Sequence, residues 1–172
     1  MVTLAIELLL RPYLERRKEQ FMNTFRARRE FLGEIVTLAQ AARFVVGELP
    51  KDAGREVREN FHTEQQRQYE QMVEWVQRMF DQMGRYAATY GRLMTDTIDY
   101  ITCLRGVTLS GRRRNRKADI IVGLAEPAAE VFNPSIWRPI RFMNARSMLK
   151  QRIEATWPDE SGDAIGTIPD GP

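Results

Sequence analysis

At 172 residues, of which 43% are apolar and 28% are charged, the chain has the size and composition of one soluble globular domain. Its net charge of +3 hides an asymmetry, because residues 106–157 carry ten basic and four acidic side chains, whereas 158–172 carry four acidic and no basic ones. The single cysteine, Cys103, excludes an intramolecular disulfide. With His62 as the single histidine, a zinc site built from several cysteines and histidines is also excluded.

The chain begins with an apolar segment, in which only Thr3 and Glu7 interrupt residues 2–10. Nine residues span about 14 Å as a helix, whereas a bilayer core needs about 20 residues, so the segment as written cannot cross a membrane. It can contact a membrane surface, or it can pack on the end of a helical body or on a second copy of the chain. The residues expected at such a membrane contact are Leu4, Ile6, Leu8, Leu9, Leu10 and Arg11.

The apolar segment is followed by basic residues, the order that is typical of a span leaving the bilayer on its cytoplasmic side. The stretch LLLRPYLERRKEQF, followed by FRARREFLGEIVTLAQAA, resembles the juxtamembrane start of uncharacterised bacterial single-span proteins. The resemblance covers about the first 45 residues, and this chain lacks most of the span that those proteins have. It implies a membrane anchor and a helical cytosolic part, and it implies no activity.

Two apolar stripes with alternating spacings of four and three residues predict two long helices whose seams face each other. The first stripe consists of Phe21, Phe25, Arg28, Leu32, Ile35, Ala39, Ala42 and Val46. The second consists of Gln65, Tyr69, Met72, Val76, Met79, Met83, Tyr86, Tyr90, Leu93, Thr97, Tyr100 and Leu104. Between them, the sequence GELPKDAG (47–54) predicts a tight turn, and therefore antiparallel packing.

These patterns predict an all-α protein with a long, coiled-coil-like antiparallel helical hairpin over residues 1–105. Because the second stripe keeps its phase throughout, we expect one continuous helix over 61–105, with Gly84 and Gly91 causing at most a kink. Two helices leave one side of the seam uncovered, so the C-terminal helices or a second chain must cover it. The seam therefore makes a homo-oligomer or a protein partner one of the predicted interactions.

Residues 106–157 are predicted to form a basic linker and short helices that pack on the hairpin. The linker extends through RGVTLSGRRRNRK (105–117), and a short helix over 118–132 is interrupted near Gly123 or Pro127. Asn133 is expected to cap a second helix starting at Pro134, which Pro139 can restart. The apolar face of that last helix is predicted to be Phe142, Met143, Met148, Leu149 and Ile153. The acidic segment 158–172, rich in glycine and proline, is predicted to be disordered.

The basic run SGRRRNRKAD (110–119) is the strongest charge feature of the chain. Three roles remain open for it: a solvated loop, a contact with nucleic-acid phosphates, or a contact with an anionic lipid surface. Nucleic acid is the weaker of the two anionic partners, because no aromatic residue within the run offers base stacking. The acidic segment could instead fold back and mask the run. The residues predicted to contact an anionic partner are Arg112, Arg113, Arg114, Arg116 and Lys117.

No recognised catalytic or phosphate-binding motif occurs in the sequence. The carboxylate pair Glu30 and Glu34 is flanked by arginines and predicts a solvated helix face, Cys103 a packed helix position, and His62 a partly exposed one. We therefore predict a protein without catalytic, metal or cofactor sites and without a small-molecule substrate. The preferred function is a helical interaction or scaffold protein in the bacterial cytoplasm, at the inner face of the cell membrane. The alternative is a nucleic-acid-binding accessory protein that uses 112–117.

Overall fold

The computed structural model describes residues 2–133 and 139–157, with side chains described from Leu14 onward. Within these residues the chain is entirely α-helical apart from short connections and one 3₁₀ turn, which confirms the predicted all-α fold. The acidic segment 158–172 and the predicted helix start at Pro134 lie outside the described residues. The helices are α1 (Val2–Val46), α2 (Arg55–Asp81), α3 (Met83–Tyr90), α4 (Met94–Leu109), α5 (Arg114–Phe132) and α6 (Pro139–Thr156).

The antiparallel hairpin is confirmed, and α1 pairs with α2 and α3 across the predicted turn at 47–54. Near the turn, the rings of Phe44 and Phe61 lie 5.3 Å apart, and the Gln65 side chain donates a hydrogen bond to the Val45 carbonyl at 3.1 Å. At the other end of the hairpin, Glu30 forms an ion pair with Arg85 at 2.7 Å. Gly54 has an extended backbone at the start of α2, as expected where a helix begins after a turn.

The second predicted stripe faces the core along its whole length. Every member from Gln65 to Leu104 is buried or half-buried, and Met72, Tyr86 and Tyr100 are fully buried. The regular spacing therefore predicts correctly which side of these helices packs inward.

The prediction of one continuous helix over 61–105 is wrong, because the chain reverses direction at Gly91. In one straight helix Phe80 and Arg105 would be about 37 Å apart. The Arg105 guanidinium instead lies 5.8 Å from the centre of the Phe80 ring, and the Thr102 hydroxyl lies 3.9 Å from the Met83 sulfur. Gly91 makes the reversal with a φ of 46°, which a side chain would disfavour, and α4 then packs back against α3 and α2.

Helix α5 covers the seam from within the same chain by packing along α1. The Phe132 ring lies 5.0 Å from that of Phe31, 5.1 Å from that of Tyr90 and 5.8 Å from that of Tyr100, forming an aromatic cluster. Helix α6 packs on α5 and is joined to α4 by Arg146, whose guanidinium lies 2.8 Å from the buried Asp96 carboxylate.

Helix α5 is continuous, so the predicted interruption near Gly123 or Pro127 is wrong. A proline inside a helix lacks the N–H that would bond to the carbonyl four residues earlier, which here is the carbonyl of Gly123. The Arg152 guanidinium of α6 donates a hydrogen bond to that Gly123 carbonyl. The missing backbone hydrogen bond is thus replaced from a neighbouring helix, and the buried Pro127 is accommodated.

The predicted basic linker is also much shorter than expected. Helix α4 extends to Leu109 and α5 begins at Arg114, so only 110–113 connect them. Asn133 follows the end of α5 as its C-terminal cap, where its N–H bonds to the Ala129 carbonyl, and the helix that it was predicted to begin lies outside the described residues. Helix α6 is described from Pro139 onward, and residues 134–138 before it lie outside the described part. Of its predicted apolar face, Leu149 is buried and Phe142 and Ile153 are half-buried, whereas Met143 and Met148 are exposed.

Candidate functional site

The first described side chains of α1 project beyond the helical bundle. We call residues 14–26 the arm: apart from the half-buried Thr24, all of its side chains are exposed, and Ala27 is the first buried residue among the side chains of α1 that are described. Four large apolar residues of the arm are exposed, Leu14 by 58%, Phe21 by 70%, Met22 by 40% and Phe25 by 54%. The predicted seam therefore does not extend to Phe21 and Phe25, which is a correction to the first stripe.

Three of these four residues, Leu14, Phe21 and Phe25, form one line along the helix, because spacings of seven and four residues return to the same face; Lys18 lies on that face between Leu14 and Phe21. Further along α1 the same line continues through Leu32 and Ile35, which are half-buried and buried against the rest of the bundle. The rest of the bundle packs on α1 only as far as Arg28, whose guanidinium donates a hydrogen bond to the Thr89 carbonyl at 3.3 Å. The reversal at Gly91 thus explains why the rest of the line is exposed.

The arm also carries an excess of positive charge. It contains four basic side chains, Arg16, Arg17, Lys18 and Arg26, and two acidic ones, which gives a net charge of +2. An apolar line with basic residues within it and beside it is the pattern of a helix that binds an anionic apolar surface.

The residues predicted to contact a membrane precede the arm on the same helix. Leu4, Ile6, Leu8, Leu9, Leu10 and Arg11 have helical backbone in α1, and their side chains lie outside the described part. Among the helices that the structure describes, none is both long enough and apolar enough to cross a bilayer.

Two members of the basic run are at least half-buried and bond to backbone carbonyls, whereas the other three are exposed. The half-buried Arg112 donates a hydrogen bond to the Thr156 carbonyl at 2.7 Å, and the buried Lys117 ammonium donates to the Thr108 carbonyl at 2.7 Å. These two cations join α4, α5 and α6 through contacts within the chain. Sequence could have identified Lys117, because it lies on the apolar face of α5 with Ile121 and Leu124.

The other three members, Arg113, Arg114 and Arg116, are exposed at the start of α5, and we call them the arginine cluster. Arg114 donates to the Gln66 side chain and lies 5.9 Å from the centre of the Tyr69 ring, while Arg116 pairs with Asp119 at 3.2 Å. The first turn of α5 contains no acidic side chain. The cluster is therefore the basic surface that remains available to an anionic partner.

The arm and the arginine cluster lie at opposite ends of the molecule. The cluster is beside the hairpin turn, because Arg114 contacts Gln66 and Gln65 contacts Val45. Leu14 precedes Val45 by 31 residues of continuous helix, which corresponds to about 46 Å. The sequence analysis treated both as contacts for anionic lipid, but they form two separate surfaces.

A buried carboxyl group was missed by the sequence analysis. Glu34, predicted to lie on a solvated face with Glu30, is 5% exposed, and burial raises its pKa. The nearby Tyr86 hydroxyl lowers that pKa in part. The signal for burial is the position of Glu34 between Phe31 and Leu38, three residues after one and four before the other, on the apolar face of α1.

The two residues with reactive side chains occupy the positions predicted for them. Cys103 is fully buried in α4, and burial raises the pKa of its thiol to about 11, while His62 is exposed on α2. Within residues 2–133 and 139–157, no group of three or more histidine, cysteine and acidic side chains is arranged to hold a metal ion. The chain matches no protein-family model, no curated protein and no solved structure.

Proposed function

We propose that the protein is a non-catalytic helical interaction protein that docks on an anionic membrane surface through the arm and the apolar residues before it. The observation that supports this proposal is the exposed apolar line of Leu14, Phe21 and Phe25 on a helix whose second half is buried in the bundle. The apolar residues 2–10 and the resemblance to membrane-anchored bacterial proteins favour the same function, at the inner face of the cell membrane.

The chemistry of the arm suits such a surface in two ways. Apolar side chains that leave water contribute roughly 25 cal/mol for each Å² of buried area. Each Lys or Arg close to an anionic leaflet contributes about 1 kcal/mol, and the arm carries four of them. Binding should therefore depend on both apolar burial and charge.

Charge favours the membrane over a second copy of the chain as the occupant of this surface. Each arm carries a net charge of +2, so two arms packed side by side would bring like charges together. An anionic surface attracts the same residues while burying the same apolar line.

The experiment is co-sedimentation with phosphatidylcholine vesicles that contain about 30% phosphatidylglycerol, compared with phosphatidylcholine alone. The variant Leu14→Ser/Phe21→Ser/Phe25→Ser should bind the anionic vesicles about tenfold more weakly than the wild type. The matched control is Val57→Ser/Leu109→Ser/Met143→Ser, which changes three exposed apolar residues outside the arm and should bind normally.

Equal binding by the arm variant and the wild type would overturn the proposal. Absence of vesicle binding, combined with a dimer in light scattering that the arm variant loses, would instead identify a second copy as the occupant.

The alternative is a nucleic-acid-binding function for the arginine cluster, supported by three exposed arginines within four positions. Neutralisation of about three phosphates predicts that the logarithm of the binding constant falls with the logarithm of salt concentration with a slope of about −2 to −3. The variant Arg113→Gln/Arg114→Gln/Arg116→Gln should lose this binding. Unchanged oligonucleotide binding by that variant would reject the alternative.

A further inference from the structure

The described chain ends beside the basic run. The Thr156 carbonyl at the end of α6 accepts a hydrogen bond from Arg112 at 2.7 Å. The next residue, Trp157, packs so closely on Gly106 that a Cβ atom there would lie 2.6 Å from its ring. The described chain therefore ends next to Arg112, which directly precedes the arginine cluster.

The charges of the two parts are complementary. Asp159, Glu160, Asp163 and Asp170 are the charged side chains of the acidic segment, and it contains no basic residue. The arginine cluster presents three exposed cations, of which Arg116 has one acidic neighbour, Asp119.

The distance is also short enough for an acidic residue to reach the cluster. Asp163 follows Trp157 by six residues, which can extend over at most about 20 Å. Arg112 and Arg116 are separated by four residues around the start of α5, and Arg112 is itself bonded to α6. Asp163 can therefore reach the arginine cluster.

We propose that the acidic segment 158–172 docks on the arginine cluster and competes with external anions for it. Exposed ion pairs contribute only about 0.2–1 kcal/mol each. The tether compensates for this weakness, since it holds the acidic groups at an effective concentration in the millimolar range. The docked state is thus weak and salt-sensitive, and a polyanion can displace the segment. The competition is separate from membrane docking, which takes place at the other end of the molecule.

The first test places a spin label on the acidic segment of the full chain through Ser161→Cys. Cys103 does not compete for the label, because it is buried and its thiol pKa is raised to about 11. At about 20 mM salt the label should broaden the backbone amide signals of residues 113–117, and about 0.5 M salt should restore them. Absence of broadening at low salt would overturn the proposal.

Two further variants of the labelled chain test whether charge causes the proximity. Asp159→Asn/Glu160→Gln/Asp163→Asn/Asp170→Asn should lose the broadening. The matched control, Glu74→Gln/Asp81→Asn/Asp99→Asn/Glu126→Gln, removes four exposed acidic groups elsewhere and should keep it. Equal broadening in the chain with the neutralised segment would show that proximity does not depend on these charges and would contradict the docking.

The second test measures competition with a 20-nucleotide oligothymidylate as the anionic probe. Neutralising the acidic segment should strengthen binding about threefold or more, because the tethered competitor is lost. The four-residue control should change affinity less, although it alters net charge equally. Adding Arg113→Gln/Arg114→Gln/Arg116→Gln should abolish the gain. An affinity that the neutralised segment leaves unchanged would overturn the competition, whatever the outcome of the vesicle experiment.

Discussion

The Glu34 side chain places a carboxyl group inside the apolar face of α1. Apart from their interaction with each other, its Oε2 atom and the Tyr86 hydroxyl have no hydrogen-bond partner within the described part of the chain. Burial raises the Glu34 pKa above its ordinary value of 4.5, and the Tyr86 hydroxyl together with the charges of Arg78 and Arg85 offsets only part of this effect. The ionised form of Glu34 therefore destabilises the folded state at neutral pH.

The stability of the protein should fall as this carboxyl ionises. When the pH rises through 4.5, the unfolded state loses the proton first, so the free energy of unfolding decreases until the pH exceeds the folded-state pKa. We expect Glu34→Gln to remove this decrease and to exceed the wild type in stability by about 1 kcal/mol at pH 7. Urea unfolding between pH 4 and pH 7 measures the difference.

Tyr86→Phe is a control that should change the pH dependence of stability in the direction opposite to Glu34→Gln. It removes the hydroxyl that lowers the Glu34 pKa, so the decrease in stability with rising pH should become steeper than in the wild type. A stability difference between Glu34→Gln and the wild type that does not vary with pH would show that Glu34 is not the responsible group.

Pro127 and Arg152 form a pair in which one residue compensates for the other. Pro127 leaves the Gly123 carbonyl without its helical partner, and Arg152 donates a hydrogen bond to that carbonyl. Arg152→Met should therefore destabilise the protein by about 1–2 kcal/mol, because a half-buried carbonyl loses its partner.

A double-mutant cycle measures this compensation directly. The Pro127→Ala background restores a backbone N–H at position 127 that can bond to the Gly123 carbonyl, so Arg152→Met should cost about 1 kcal/mol less there than in the wild type. Thermal or urea unfolding of the four proteins gives the coupling energy. Equal costs in both backgrounds would mean that Arg152 acts only through its other contacts.

At the scale of helices, the spacing of apolar residues predicts burial but not chain direction. The stripe from Gln65 to Leu104 keeps its phase through the reversal, because any helix with one buried face gives the same spacing before and after a turn. The presence of a glycine does not indicate where the chain reverses direction, because Gly84 lies inside α3, whereas Gly91 reverses the chain.

The same limit applies to the candidate site. Within the basic run, the exposure of Arg116 and the burial of Lys117 depend on where α5 begins. The exposed line on the arm depends on where its partner helix ends. Composition and spacing could predict an all-α hairpin and an apolar, basic N-terminal segment. The exposed surfaces of the arm and of the arginine cluster could not be predicted. They depend on where the partner helix of α1 ends and on where α5 begins.

Alanine substitutions at the two glycines should have opposite effects on stability. Gly91→Ala should destabilise the protein by about 1–2 kcal/mol, because an L-residue disfavours a φ of 46°. Gly84→Ala should stabilise it by up to about 1 kcal/mol, because the helix gains a better former and a Cβ there meets no atom within 4 Å. Urea unfolding measures both, and an equal or reversed pair of effects would contradict the role of Gly91 in the reversal.

At the scale of the whole molecule, α1 joins a packed half to an unpacked half. Residues from Ala27 to Val45 include the buried core positions of α1, whereas the arm contacts water on almost every side. A helix without tertiary packing is marginally stable, since most of its stability in a protein comes from burial of one face. The two halves of this single helix should therefore open independently.

Hydrogen exchange followed by mass spectrometry tests this division and its link to docking. Peptides from the arm should exchange at least about a hundredfold faster than peptides from residues 31–45, because only the latter require opening of the bundle. Anionic vesicles should slow exchange in the arm and leave residues 112–118 unchanged, while phosphatidylcholine vesicles should change neither. Uniformly slow exchange along α1 in the absence of vesicles would indicate that another chain covers the arm. Protection of residues 112–118 by vesicles would place the membrane at the opposite end of the molecule, since about 46 Å of helix separates the two surfaces.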